Sequence, residues 1–374
     1  MTSLARGSVL RRCGNRWRSR TAVLLAAALA ATLAPHAGAA TRTPVRVPVV
    51  AVIDTGVRAT HHEFDYRGRT STADQFVAWW DFTTTKKGRT VYPAAGQTWD
   101  TQVPNPYDGC GHGTLTAGMV GGRNLIKEKS PSAYPGAKLA IAKVGADDCS
   151  INVDGIAAAV RWATHTVHAD VVSISIGSIV PMPALVYQEV YDAIADARAH
   201  GVLVVVSNGN GWGDLGLVPG DPGWASFAAS SPDVLSVGAQ GQTGLINSTD
   251  PEVASIYSIV GPSNQSDNEY VTNGGTSFGA PYVAGFAAAV LLASRQGGHP
   301  LGVAALEQFV KDSSLDGIMP PQTEGYGSLG PAQLPTALAN ARAGRLPKRP
   351  SPDVSALYVD GVAGTLRTLW ATAT

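Results

Sequence analysis

Nothing in this 374-residue chain reads as a lasting membrane span. The apolar run near its start, TAVLLAAALAATLA, is about 14 residues long where a spanning helix needs roughly 20. The second apolar stretch, SFGAPYVAGFAAAVLLASRQ from 277 to 296, opens too polar, and its apolar part is too short. No membrane-helix pattern stands at the C-terminus, and no segment repeats. Positive charge is also scarce. The formal net charge is zero, but six arginines (6, 11, 12, 16, 18 and 20) sit in the first forty residues with no acid among them, which leaves 22 basic against 28 acidic residues beyond. A balance near −6 carries no electrostatic footprint for nucleic acid. Cysteine is nearly missing: of three, Cys13 falls within those forty residues, so Cys110 and Cys149 remain.

What is present at the N-terminus has an order of its own. A basic front, an apolar run and then HAGAA, with small residues at Ala37 and Ala39, make a secretory signal peptide over 1–40, cleaved near Ala39 or Ala40. Export puts Cys110 and Cys149 in an oxidising compartment, where one disulfide is the simple reading and two free thiols the alternative. Its loop of about 40 residues stabilises by roughly 3 to 4 kcal/mol if unstrained.

The whole chain is 44% hydrophobic and 15% charged, a globular balance able to bury a core. From residue 45 onward, VRVPVVAVID, AKLAIAKV, ADVVSISIG, GVLVVVSN and DVLSVGA are apolar nearly throughout, as strands covered on both faces are. Between them NVDGIAAAVRWATHTVHA and PALVYQEVYDAIADARAHG are apolar at helical spacing, the second stopped by Gly201. Alternating strands and helices predict an α/β fold, a mostly parallel central sheet with helices on both faces. Residues 60–110 read as long surface loops around a helix or hairpin, and GVAALEQFVKDS as one more helix. The domain is expected to run from 41 to 343, followed by a Pro- and basic-rich linker and a tail over 344–374 with no functional reading.

Ligands of open α/β sheets sit beyond the carboxyl ends of the strands. The residues to inspect there are Asp54 to Gly56, Ser175 to Ser178, and Ser207 to Gly211. Three short stretches stand out: AVIDTGV with Asp54 at a strand end, GCGHGTLTAG with His112 between glycines at a helix start, and GGTSFGAP with Ser277 at the start of an apolar helix. Taken singly, each has an ordinary structural reading as turn, loop or N-cap. A serine hydroxyl needs a base within reach and a group that orients the base. Aspartate, histidine and serine, each in a glycine-containing box and 58 and 165 residues apart, supply all three.

These boxes resemble those of the subtilisin-like serine proteases, D-[ST]-G, H-G-T and G-T-S-x-A-P, in the chain order Asp, His, Ser that subtilisin has. The resemblance covers about residues 45–335. It implies the subtilisin-like fold and a secreted serine endopeptidase with Asp54, His112 and Ser277 as its triad. VVVSNGNG resembles the family's strand ending in Gly-Asn, which makes Asn210 the side-chain donor of the oxyanion hole, with Asn208 the neighbouring competitor. SISIGS resembles the strand that pairs with substrate backbone, with Ser175 and Gly177 as substrate-binding candidates.

By the same resemblance no metal or organic cofactor is needed for the chemistry. Family members often hold calcium, but no acidic loop here is specific enough to name a site. The expected partners are protein or peptide substrates, with no nucleic acid and no stable membrane span after leader cleavage, and the expected state is a monomer. His61 and His62 read as structural, and His165, His168 and His200 as exposed helix residues without a metal.

Two departures matter. Gly279 stands where the family's box has alanine, so Gly275, Ser277 and Gly279 also fit the G-x-S-x-G of an esterase. There the acid and then the histidine should follow the serine. Here the one later histidine, His299, precedes Asp312 and Asp316, and SNQSDNEYVTNGG is no convincing buried strand. The other departure is the short interval TRTPVR between the leader and the first strand, too short for the family's folding-assisting pro-segment, so the domain is expected to fold without one. A catalytically inactive relative that kept the fold is the remaining alternative, against which all four functional side chains are present.

Overall fold

The computed structural model describes residues 44–65, 74–83, 85–86, 89–90, 107–126, 132–177, 187–210, 229, 231–239, 251–256, 258–315 and 325–348. The leader expected over 1–40 and nearly all of the tail lie outside them, as do Ser178 and Gly211.

Seven parallel strands form the central sheet. They are β1 (Val49–Asp54), β2 (Phe76–Asp81), β5 (Lys138–Lys143), β6 (Val171–Ile174), β7 (Leu203–Ser207), β8 (Val234–Ala239) and β9 (Val253–Ser255), in the order β2-β5-β1-β6-β7-β8-β9. Two small antiparallel pairs lie apart from it: β3 (Thr85–Lys86) with β4 (Arg89–Thr90), and β10 (Ser258–Pro262) with β11 (Tyr270–Gly274). The helices are α1 (His112–Gly121), α2 (Val153–Trp162), α3 (Gln188–Ala199), α4 (Thr276–Gly297), α5 (Val303–Asp312) and α6 (Leu334–Arg342).

Successive residues of a strand face opposite sides, so an apolar run needs a cover on each. In β1, Val50 and Val52 join Leu115 and Met119 of α1 and Val283 and Phe286 of α4 in one core. Ala51 and Ile53 join Ile156 and Val160 of α2 and Val190 and Ile194 of α3 in the other. This is the three-layered α/β arrangement expected from the sequence. The 22-residue helix α4 is long and apolar enough to cross a membrane, but it is buried almost all round between the sheet and its neighbouring helices. A helix apolar on every side satisfies itself equally well in a protein core.

Residues 60–110, expected as surface loops around a helix or hairpin, also contribute a strand to the sheet. FVAWWD, masked by the Thr- and Asp-rich sequence around it, is no loop but the parallel edge strand β2, paired with β5 through a bulge between Phe76 and Ala78. The short β3–β4 hairpin follows, and 91–106 lie outside the described residues.

Candidate active site

Asp54 is the last residue of β1, a central strand, and is 1% exposed. Its Oδ1 accepts the Thr55 N–H at 2.8 Å and its Oδ2 the Thr116 hydroxyl at 3.2 Å. The remaining contact of Oδ1 is Nδ1 of His112, also at 2.8 Å. A carboxylate there fixes the imidazole with its proton on Nδ1, leaving Nε2 free to accept one.

His112 begins α1, and the sequence around it explains how the helix start is held. The first amides of a helix have no partner within it. Gly113 N–H donates to the Thr55 hydroxyl at 2.8 Å, and Thr114 N–H to Asp108 Oδ2 at 2.7 Å. The Thr55 hydroxyl in turn donates to Asp108 Oδ1 at 2.8 Å, and Gly111 N–H to the same oxygen at 2.7 Å. The threonine of the Asp box thus caps the His helix. The two boxes are pressed so close that a Cβ on Gly113 would lie 2.2 Å from the Gly56 carbonyl oxygen. Buried Asp108, with both oxygens engaged, was not singled out from the sequence; its one signal is its place four residues ahead of His112.

The imidazole of His112 binds its proton more tightly than a free histidine. Burial works against the charged form, but the charge and hydrogen bond of Asp54, with the charge of Asp108, outweigh it. The ring also packs against Phe278, with centroids 5.5 Å apart, which sets it beside the start of α4.

Ser277 is the second residue of α4, in the first turn, where unpaired amides and the helix dipole favour developing negative charge. Pro281 removes the amide that would otherwise bond back to the Ser277 carbonyl. The Ser277 hydroxyl contacts the Ser175 carbonyl at a long 3.5 Å rather than His112. A bond between nucleophile and base is commonly long in the absence of substrate and tightens when substrate binds.

Gly275, with φ 127°, takes a backbone conformation open to glycine, and a Cβ there would meet the Asn210 amide at 3.0 Å. Asn210 Oδ1 accepts both the Thr276 N–H at 2.9 Å and the Thr276 hydroxyl at 3.0 Å. An N–H can be met only by the amide oxygen, so Thr276 settles which way the amide points and leaves Nδ2 as the free donor. Asn208 is 1% exposed, and its N–H continues the sheet to the Val237 carbonyl. At Gly279, a Cβ would lie 3.2 Å from the Gly238 carbonyl oxygen, so the start of α4 sits tight against β8.

Ser175 and Gly177 follow β6; Ser175 is buried and its hydroxyl is without a hydrogen-bond partner, while Gly177 is exposed. Cys110 and Cys149 form a disulfide, tying the residue two before His112 to the turn after β5. Lys143, at the end of β5 beside Asp54, donates to the carbonyls of Thr55 and Tyr107, both at 2.8 Å, and to Asp147. That leaves Asp147 and Asp148 engaged in local pairs, with Lys143 and Ser150 respectively.

His61 is fully buried, faces the Glu269 carbonyl through Nε2 at 2.8 Å and accepts the Glu63 N–H at Nδ1. Burial lowers its pKa, so it is a neutral structural histidine. Among the described residues, the one cluster of three potential metal-ligating side chains contains two imidazoles, unlike the all-oxygen shell of calcium. No calcium site is assigned.

The family model described as the subtilase family matches residues 46–327. A cuticle-degrading serine protease of Arthrobotrys oligospora is 28% identical over 277 residues, covering 72% of this chain and 56% of its own length. The M-protease of Shouchella clausii is 30% identical over 246 residues, covering 64% and 53%, and subtilisin Savinase of Lederbergia lenta is 30% identical over the same span, covering 64% and 75%. The chain spans about half the length of the first two.

Proposed function

The chain belongs to the subtilase family, and on that premise we propose that it is an exported serine endopeptidase that cleaves proteins or peptides through an acyl-enzyme. The observation that carries this reading is the buried Asp54 carboxylate 2.8 Å from Nδ1 of His112, because it readies Nε2 as a base beside the first turn of α4.

The steps follow from the residues. Ser277 Oγ attacks the scissile carbonyl carbon while His112 Nε2 takes its proton. The oxyanion is held by Asn210 Nδ2 and the Ser277 N–H, aimed before the charge forms. His112 then returns the proton to the leaving amine, and the C–N bond breaks. Water, deprotonated by His112, hydrolyses the ester to regenerate Ser277. Asp54 stays ionised throughout and stabilises the imidazolium. Ser175 and Gly177 bind the substrate backbone ahead of the scissile bond. Subtilases need no cofactor for this chemistry. The peptidase domain occupies 41–343, behind a leader over 1–40 that is removed on export.

The test is labelling of the secreted protein with a fluorophosphonate probe beside Ser277→Ala and Asp54→Asn, with a casein digest in parallel. Labelling at Ser277 with casein cleavage, both suppressed in the variants, is expected; the loss for Ser277→Ala is about 10⁶-fold, the scale known from subtilisin. A folded wild type that neither labels nor digests casein points instead to an inactive relative.

A further inference from the structure

A second cluster of chemistry-bearing side chains lies far from the triad. His165, Asp196 and His200 come from two neighbouring segments on one face of the sheet: the π-helical turn Ala163–Val167 that prolongs α2, and the end of α3 with its C-cap. His165 Nε2 lies 2.6 Å from Asp196 Oδ2, His200 Nδ1 3.3 Å from Asp196 Oδ1, and the two imidazole rings meet edge to face at 4.7 Å. One ligand atom from each of the three residues falls within 4.8 Å of the others.

We propose that these three side chains form a binding site for a divalent transition ion of the zinc type. Two imidazole nitrogens and a carboxylate oxygen are a donor set for zinc and its neighbours, not for calcium or magnesium. Ligands held at about 2.0–2.1 Å from one tetrahedral ion are about 3.4 Å apart, so the atoms close on it by rotation of exposed His165 and His200 and half-buried Asp196, with His200 Nδ1 giving up the Asp196 carbonyl that it meets at 2.8 Å. Asp196 and His200 are four apart, the spacing that puts two side chains on one side of a helix end.

The third ligand is supplied by an irregularity. π-Helical turns are rare and gather at functional sites. Here the turn occupies Ala163–Val167, so His165 reaches Asp196 from within it, and the backbone then closes through His168 at a φ of 55°. The nearby cations are already engaged: Arg161 pairs with Glu189, and Arg198 with Glu307 and Asp233. An open fourth position is left to water.

The topology also fixes what this ion does. β6 begins at Val171, just past His168, and β7 at Leu203, just past His200, and both run parallel to β1. The cluster therefore sits at the starting edge of the strands, whereas Asp54, Ser175 and Asn210 stand at or beyond their far ends. The ion braces α2 to α3 and takes no part in peptide hydrolysis, so the site stands independently of the catalytic reading.

The experiment is calorimetric titration of the chelator-treated full chain with zinc chloride, for wild type, His165→Ala, His200→Ala and, as a control elsewhere, His299→Ala. One equivalent should bind to wild type and to His299→Ala, with affinity at least about tenfold weaker in each of the other two. Zinc should raise the thermal midpoint of wild type more than that of those two, with peptide hydrolysis by both variants at the wild-type rate. No saturable binding to wild type, or a loss smaller than tenfold in either cluster variant, overturns the proposal.

Discussion

Thr55 Oγ1 accepts the N–H of Gly113 at 2.8 Å, so the residue after the aspartate of one box caps the helix that carries the histidine of the next. Fifty-eight residues of chain separate the two. The Asp54–His112 pair is held in register by this backbone contact as well as by its own hydrogen bond.

Asp54→Asn is expected to lower kcat by about 10⁴-fold, the scale seen when other triads lose this charge. The pH profile carries a second signature. His112 must be neutral to act as base, and its pKa is raised above 6.5, so kcat/KM of wild type should fall on the acid side with a midpoint above 6.5. Removing the charge of Asp54 takes away the main cause of that rise, and the acid limb should move to lower pH. A limb that stays in place in the variant sinks the assignment of His112 as base.

Asn210→Ala should cost about 10² to 10³ in kcat, with KM little changed, since the lost bond forms only to the oxyanion; the magnitude is that known from subtilisin. Thr276→Val removes the hydroxyl that holds Asn210 Oδ1 and keeps the backbone donor. Its loss should be smaller, about tenfold, fall on kcat, and be restored by Thr276→Ser. Steady-state kinetics on one peptide decide both, and an unchanged kcat in Asn210→Ala removes that side chain from the mechanism.

Asp108→Ala leaves the amides of Gly111 and Thr114 and two hydroxyls without their acceptor. Loss of such a cap with its charged acceptor costs about 2–3 kcal/mol, to be read from urea denaturation of a Ser277→Ala background that cannot digest itself. In the active background, Asp108→Asn should shift the acid limb of kcat/KM downward, as its charge helps to raise the pKa of His112. Stability equal to the parent would show that water replaces the carboxylate at no cost.

Replacing Cys110 and Cys149 by serine should lower the unfolding free energy by about 2–4 kcal/mol, given the separation of 39 residues. Because the bridge anchors the approach to His112, kcat/KM should drop in the folded double variant as well. Equal stability with and without reductant for wild type would contradict this.

The five apolar runs that became β1, β5, β6, β7 and β8 were legible because strands covered on both faces leave no room for polar side chains. β2 was not: FVAWWD sits among loop-like residues and gains its partner from β5, more than fifty residues on. β10 and β11 escaped notice because β11 is largely exposed, and an exposed strand has no apolar pattern to read. In the site, Asp54, His112, Ser277 and Asn210 stood out through their glycine-containing boxes. Asp108 and Thr276 did not, because an aspartate in a loop or a threonine before a helix is common, and their roles lie in what they touch.

The sequence by itself determined the layered α/β architecture and the residue types that the proposed acyl transfer calls on, since burial periodicity and glycine-rich strand ends are local properties of a chain. Tertiary structure alone decided which end of the Asn210 amide faces Thr276, that Thr55 caps α1, and that His165 comes to Asp196 and His200. Those contacts join residues 31 to 66 positions apart. Their distances depend on how the sheet packs its helices, and no local pattern encodes that.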